Sequence, residues 1–262
     1  MTHVRPLEFR LDTPRLRLSA QEAPWDSAIY GMPVVQIEDI EVLDQDGAVS
    51  DYPHYATWID AEQVGIVSCR LAHDRLRDSM FLEEHGFRFI EMVLHPRRDS
   101  LQATQIPADE LLIAPAAEAD LRALQDIADH AFGYERYHLD PRLDPRQGDQ
   151  RYSRWVRNSL HHKSQRLIKV SDGERLIALF IVEIRSDKSV YWHLTSIAPQ
   201  WQGQGYGRRV WRAMLRYHQV EGCQSVATTI SARNTPVLNL YAQLQFRFTP
   251  PEMTFHWVRE GK

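Results

Sequence analysis

Cysteine is nearly absent from this sequence, with only Cys69 and Cys223 in 262 residues. Two thiols rule out a disulfide framework and suit a reducing compartment, so a cytoplasmic location is expected. Long apolar runs are missing as well. The longest, 176–182, has seven residues and falls far short of a membrane span, so no membrane partner is expected. Arg5, Arg10, Arg15 and Arg17 lead into no apolar segment, so a signal peptide is not expected either. An excess of one charge is also lacking. The 31 basic and 35 acidic side chains leave a net charge of −4, which makes no general case for nucleic-acid binding. Metal-ligand spacing is not evident, because the 12 histidines are scattered and His161 and His162 are adjacent instead of a helical turn apart. Glycine is sparse at 12 residues, yet three of them crowd into five positions at 203, 205 and 207.

The approach to those glycines, 189–199, is rich in β-branched and aromatic residues and reads as a strand. Beyond them Val210, Trp211, Met214, Leu215 and His218 recur at helical spacing, with Arg208, Arg209, Arg212 and Arg216 between. The order is strand, glycine loop, helix N-terminus. Glycines let such a loop approach a ligand closely, and its N–H groups and the helix dipole favour an anion. A plain tight turn is the bland alternative. A Walker loop needs Lys-Ser/Thr after its last glycine, where Arg208 and Arg209 stand, and a dinucleotide fingerprint needs a wider glycine spacing. Gln202, Gly205 and Gly207 do meet the pattern Gln/Arg-x-x-Gly-x-Gly/Ala. The stretch from Ile197 to Gly207 resembles the acetyl-CoA loop of the GCN5-related N-acetyltransferases (GNAT).

That resemblance implies an α/β (α+β) GNAT fold with a mixed central sheet, and the rest of the chain can be read against it. A strand at 110–114 is followed by a helix with Leu121, Leu124, Ala128 and Ala131 on one face. A long loop, 132–150, leads into a helix around Tyr152, Trp155, Val156 and Leu160. Segments 166–170 and 175–184 flank Ser171-Asp172-Gly173-Glu174 as a hairpin. After the glycine loop come a strand at 226–230, a helix at 235–244 and a last strand through Met253 to Trp257. Upstream, 64–71 and 87–94 read as strands around a helix at 73–84, while 37–43 suits a strand or a short helix equally. The same strand–helix–strand order, with Phe87-Arg88-Phe89 answering Phe246-Arg247-Phe248, suggests a partial internal copy. In that register Leu82 takes the place of Tyr241, and no glycine loop precedes it. Two domains follow: 1–108, a partial GNAT-like domain that shapes the acceptor site, and 109–262, the acetyl-CoA-binding catalytic domain, with a linker at 95–109.

The resemblance also implies roles for particular residues. Thr195, Ser196 and Ile197 match the strand positions whose backbone pairs with pantetheine. The pyrophosphate would lie on N–H groups of Gln202, Gly203, Gln204, Gly205, Tyr206, Gly207 and Arg208. Arg208 and Arg209 read equally well as phosphate contacts or a solvated helix face. Asn234-Thr235-Pro236 begins a helix well by capping alone, and the resemblance places Asn234 at the cofactor. Tyr241, two turns on, matches the tyrosine that protonates the leaving thiolate, with a buried aromatic as the plainer alternative. His193 and Glu183 are the candidates for a general base; strict alternation puts His193 on one face with Thr195 and Ile197, though a packed core histidine is the commoner case.

Two further stretches point to an acceptor. Trp25-Asp26-Ser27-Ala28-Ile29-Tyr30-Gly31 is similar to the Trp-Asp-Ser-x-x-Phe-Gly opening of bacterial nucleotide-sugar N-acetyltransferases of the dTDP-fucosamine (dTDP-4-amino-4,6-dideoxygalactose) type. Arg136-Tyr137-His138-Leu139-Asp140-Pro141 and the helix after it resemble that group's long loop and helix. Trp25, Tyr30, Arg136 and Tyr137 are therefore candidate acceptor contacts, although Trp25 and Tyr30 also suit core anchors of a loop. The expected partners are acetyl-CoA and a small-molecule amine, a nucleotide-amino-sugar, with a homodimer left open. The alternatives are another amine (an antibiotic, a polyamine or a protein N-terminus) and a catalytically degenerate CoA-binding module.

Overall fold

The computed structural model describes residues 5–259. The chain begins with strands β1 (Glu8–Asp12) and β2 (Leu16–Glu22), helix α1 (Pro24–Tyr30) and strand β3 (Val34–Val42). Helices α2 (Gln45–Asp51) and α3 (Pro53–Ala61), strand β4 (Ile66–Ala72), helix α4 (Leu76–Glu84) and strand β5 (Arg88–Arg98) follow. Then come β6 (Leu112–Pro115), α5 (Leu121–Ala131), α6 (Arg136–Leu139), α7 (Pro145–Ser159), β7 (Gln165–Asp172) and β8 (Arg175–Ile184). The remainder is β9 (Ser189–Ile197), α8 (Tyr206–Val220), β10 (Ser225–Thr228), β11 (Ile230–Ser231), α9 (Thr235–Gln243) and β12 (Arg247–Val258).

Several local expectations change. The stretch read as a loop around Trp25 and Tyr30 is α1, entered on Pro24 and ended by Gly31 in the left-handed region, whose N–H reaches the Ser27 carbonyl at 2.9 Å. Residues 37–42 are strand, the end of β3, and Leu43 lies just beyond it. The span 132–150 is not one loop: α6 interrupts it, and α7 starts at Pro145, so the last six residues of the span are helical. Proline at a first helical position explains that early start. Strand β5 runs on to Arg98, into the stretch read as linker.

By contacts the chain forms two compact units. The first holds residues up to 92, 139–147 and those from 251 on; the second holds 93–138 and 148–250. In the first, the strand order is β1-β2-β3-β4-β12, all antiparallel except β3–β4. Leu16, Leu18, Ile37, Val67, Phe81, Phe87 and Phe255 form its core. Segment 139–147 is tied down by Asp140, which accepts from His256 Nδ1 at 3.0 Å and from Arg142 at 2.8 Å. These partners outweigh its complete burial and hold the Asp140 carboxyl far below the usual carboxylate range.

In the second unit β5 (from Val93), β10, β9, β8, β7 and β6 lie in that order, with β9–β10 parallel and the other pairs antiparallel. Strand β8 is apolar from Ile177 to Val182 because both faces are covered. Ala178, Phe180 and Val182 pack with Trp192, Val210, Trp211 and Tyr241, while Leu179 and Ile181 pack with Leu124, Ile127, Tyr152 and Val156. The strand after α4 pairs with β10, and the strand after α9 pairs with β4, as in Cys69↔Phe255. The repeated order is thus present, but the two final strands are exchanged between the halves of the sequence. Among the described residues no helix is long and apolar enough to cross a membrane.

Candidate active site

The site begins where two parallel strands part. Pairing of β9 with β10 runs from Ser189↔Ser225 to Trp192↔Thr228 and stops, while β9 continues to Ile197 against β8 alone. The groups of β9 that face β10 beyond Trp192, among Thr195, Ser196 and Ile197, therefore have no strand partner there. On the other side Val182 pairs with Trp192 and Ile181 with Leu194, so His193 is an extra, bulged residue. The bulge resets the alternation. Thr195 and Ile197 share the Trp192 face, and His193 joins Tyr191 and Glu183 on the opposite one. The expectation that His193 shares a face with Thr195 is thereby overturned.

Beyond Ile197 the chain makes one turn and enters α8. Trp201 pins that turn, its Nε1 donating to the Leu176 carbonyl at 3.0 Å. Gln202 donates to the Ile197 carbonyl at 3.0 Å and Gln204 to that of Gln200 at 2.6 Å. Gly203 and Gly205 have φ of +73° and +82°, and a Cβ on either would meet open space, so backbone conformation and not crowding calls for glycine here. Among the described residues, no N–H from 203 to 208 donates to a backbone carbonyl outside the helix. These donors and the dipole of a 15-residue helix suit a pyrophosphate. The Tyr206 hydroxyl donates to Asp172 at 2.6 Å and fixes the loop to the β7–β8 hairpin. Arg209 is engaged by Asp109 at 2.8 Å, a bond that lowers the carboxyl's pKa, whereas Arg208 is exposed.

Tyr241 lies where the strands part. It is 1% exposed, its ring is 4.8 Å from that of Phe246, and its hydroxyl neighbours are Trp211, Thr195 and Thr228. Thr228 ends β10 and donates to the Trp192 carbonyl at 2.8 Å. Burial raises the Tyr241 pKa against the opposing pull of those donors, so the phenol keeps its proton at neutral pH. Asn234 caps α9, its Oδ1 accepting from Val237 N–H at 3.4 Å. On the opposite face His193 Nε2 meets Glu183 Oε2 at 2.9 Å, with Tyr191 at 4.8 Å and Trp155 at 6.1 Å between ring centroids. Tyr191 Oη bonds Thr229 Oγ1, which lies 3.4 Å from His95 Nδ1.

The remaining candidates belong to other elements. Tyr137 is buried, with the Arg136 guanidinium 4.7 Å from its ring centroid and donating to its hydroxyl at 3.0 Å. Arg151 spans Tyr137 and Trp155 at 5.3 and 5.5 Å. Trp25, half-buried, and Tyr30, buried, belong to α1 in the first unit. Sequence reasoning missed Thr228 and Thr229, and also Arg151. The signal for Thr228 was its place at the C-terminal end of a strand parallel to β9, which no residue pattern marks.

Residues 121–246 match the acetyltransferase (GNAT) family. Over 80 residues the chain is 29% identical to the mycothiol acetyltransferase of Saccharopolyspora erythraea, a match that spans 30% of this chain and 26% of that protein. Three solved structures share the fold. A conserved protein of unknown function from Staphylococcus epidermidis gives a TM-score of 0.68 at 10% identity, covering 99% of this chain and 96% of that one. A GCN5-related N-acetyltransferase from Sphaerobacter thermophilus gives 0.65 at 14% identity, over 96% and 84%. A tandem GNAT protein from the clavulanic acid biosynthesis pathway gives 0.58 at 13%, over 94% and 79%. The parted strands and the glycine loop both lie within residues 121–246, the span that is similar to the acetyltransferase (GNAT) family.

Proposed function

We propose that the chain transfers the acetyl group of acetyl-CoA directly to a primary amine, carried by a nucleotide-linked amino sugar of the dTDP-4-amino-4,6-dideoxyhexose type. The observation that carries this reading is a protonated, buried Tyr241 beside Thr195, at the edge that β9 presents without a partner. Pantetheine amides would pair with that edge, and the pyrophosphate would take the free N–H groups from 203 to 208. Asn234 and Arg208 border the same path.

Acid and base candidates lie on opposite faces of the sheet at this point. The amine would then approach from the His193 side, and the thiolate would depart on the Tyr241 side. His193, backed by Glu183, takes the amine's proton as nitrogen attacks the thioester carbonyl. The C–S bond breaks as the tetrahedral adduct collapses, and Tyr241 gives its proton to sulfur. The sugar assignment rests on the 25–31 and 136–141 stretches and gives Trp25, Tyr30, Arg136 and Tyr137 to acceptor recognition. The name of the curated relative makes mycothiol chemistry the second acceptor to test.

Steady-state turnover of acetyl-CoA with a panel of nucleotide 4-amino sugars, other amino sugars, polyamines and N-terminal peptides tests both levels. Turnover confined to non-sugar amines would remove the acceptor assignment. Tight acetyl-CoA binding with no turnover on any amine would leave a degenerate binding module. Trp25→Ala should raise the KM of the amine with acetyl-CoA affinity near wild type; the reverse pattern would take α1 out of acceptor recognition.

A further inference from the structure

The far end of α8 closes in a tight reversal. Gly222, at φ +81°, donates to the Gln219 carbonyl and Cys223 to the His218 carbonyl, each at 3.0 Å. This pair of bonds is the glycine-ended helix stop that folds the following residue back over the last turn. Here it brings together an imidazole, a carboxylate and a thiol. The ligand atoms of His218, Glu221 and Cys223 all lie within 4.8 Å of one another. His218 Nδ1 is 3.3 Å from Glu221 Oε2, close to the spacing of two ligands on one tetrahedral ion. The Cys223 thiol is 2% exposed and free, with no hydrogen bond recorded among the described residues. His218 is wholly buried.

A helix stop of this kind asks only for an apolar contact between the positions of His218 and Cys223. Three donors of nitrogen, oxygen and sulfur type gathered at one helix stop are more than it needs. We infer that His218, Glu221 and Cys223 form a binding site for one divalent cation of the zinc class. Thiolate and imidazole exclude magnesium and calcium, which demand oxygen ligands. The thiol proton would leave to solvent as the thiolate takes the ion. Carboxylate and thiolate then neutralise the dication, so Arg166, 2.9 Å from Glu221 Oε1, faces no net positive charge and orients the carboxylate from behind. Closing the ligands onto the ion needs inward shifts of about 1 Å, and water completes the tetrahedron. The ion would fasten the end of α8 remote from the glycine loop, a structural role independent of acetyl transfer.

Chelator-treated full-length protein, titrated with cobalt(II) and then zinc(II), tests this. The expected result is one cobalt per chain with a thiolate-to-metal charge-transfer band, displaced by zinc. Cys69→Ser should keep the band, and Cys223→Ser should lose it. Glu221→Gln alters an exposed side chain and will fold, and it should weaken zinc binding by about 10- to 100-fold or more. The inference is overturned by absence of a band in the wild type, by a band that follows Cys69, or by unchanged zinc affinity in Glu221→Gln. If Cys223→Ser does not fold, the Cys69→Ser and Glu221→Gln results still decide.

Discussion

Each unit holds a pair of parallel strands that part, and the two partings match residue for residue. In the second unit Trp192↔Thr228 is the last pair and His193 is bulged next. In the first, Ile37↔Cys69 is the last pair, and Glu38 is bulged next, since Ala20 pairs with Ile37 and Ser19 with Asp39. Ile40 and Val42 then correspond to Thr195 and Ile197. The difference lies in what fills the gap. In the first unit Arg75 donates to the Ile40 carbonyl at 2.5 Å and to Asp78 at 2.6 Å, while Asp78 accepts from Val42 N–H at 2.8 Å. An ion pair on α4 thus occupies the backbone groups that a pantetheine would need. The start of α2 is similarly used up: Leu43 and Asp44 N–H donate to the Arg15 carbonyl, and Gly47 N–H to the Asp44 side chain. The same parting is present there, with its backbone groups satisfied internally. An open parting in a protein interior is costly unless its backbone groups are paired, and in the first unit Arg75 and Asp78 pair them.

The comparison breaks most easily at the glycine loop. Gly205→Val should lower acetyl-CoA affinity by at least about 100-fold, because a β-branched residue at φ +82° costs about 1–2 kcal/mol and turns N–H groups away from the anion. Calorimetry on the folded variant is the check, and unchanged affinity would reduce the loop to a turn. Next is Tyr241→Phe, for which single-turnover acetyl transfer should fall about 100-fold, the lower end for general acid–base catalysis, with acetyl-CoA affinity nearly unchanged. A wild-type rate would make Tyr241 the packing equivalent of Leu82, erasing the contrast.

The plug offers a smaller and sharper test. Asp78→Ala strands the buried Val42 N–H and leaves the half-exposed Arg75 with the Ile40 carbonyl alone, and should cost about 1–3 kcal/mol in urea unfolding. Acetyl-CoA stoichiometry should remain one per chain; two would show that the ion pair alone closed the first parting. The smallest effect concerns His138, where bonds to Glu135 and Asp149 at 3.1 Å outweigh the desolvation that opposes its cation and raise its pKa. A raised folded-state pKa stabilises fully below the ordinary value of 6.5, and that contribution is lost as pH rises through the folded value. Hydrogen exchange across α6 and α7 should therefore quicken as pH rises above the ordinary value of 6.5, beyond its intrinsic pH dependence. His138→Gln should flatten that change.

Much of the second unit was legible because its signals are local. The apolar run of β8, Gly173 in the hairpin and the three loop glycines each report their own surroundings. The first unit shows α4 in its sequence but hides α2 and α3: α2 contains Gly47, where a Cβ would collide with Arg15, and α3 opens on Pro53. The bulge at His193 could not be read at all, since period-two reasoning assumes an unbroken ladder and nothing in Trp192-His193-Leu194 announces an extra residue. Arg75 and Asp78, three apart on a helix, look like a solvated pair until the unpaired strand they serve is seen. Tyr241 was found by its place two turns beyond Asn234, but Thr195 and Thr228 became its neighbours only through the register of β9 and β10.

The exchanged strands impose an order of events on synthesis. β4 emerges early, yet the strand that covers its edge is β12, which follows every element of the second unit, as the pairing Cys69↔Phe255 records. Until then a nascent chain carries β4 as a bare edge, a template for wrong partners. Such long-range closure slows the final step, so the chain should collapse in parts and lock late. A fragment ending after α9 would keep the glycine loop and Tyr241 but leave that edge open for good, and aggregation, rather than lost chemistry, would be its first defect.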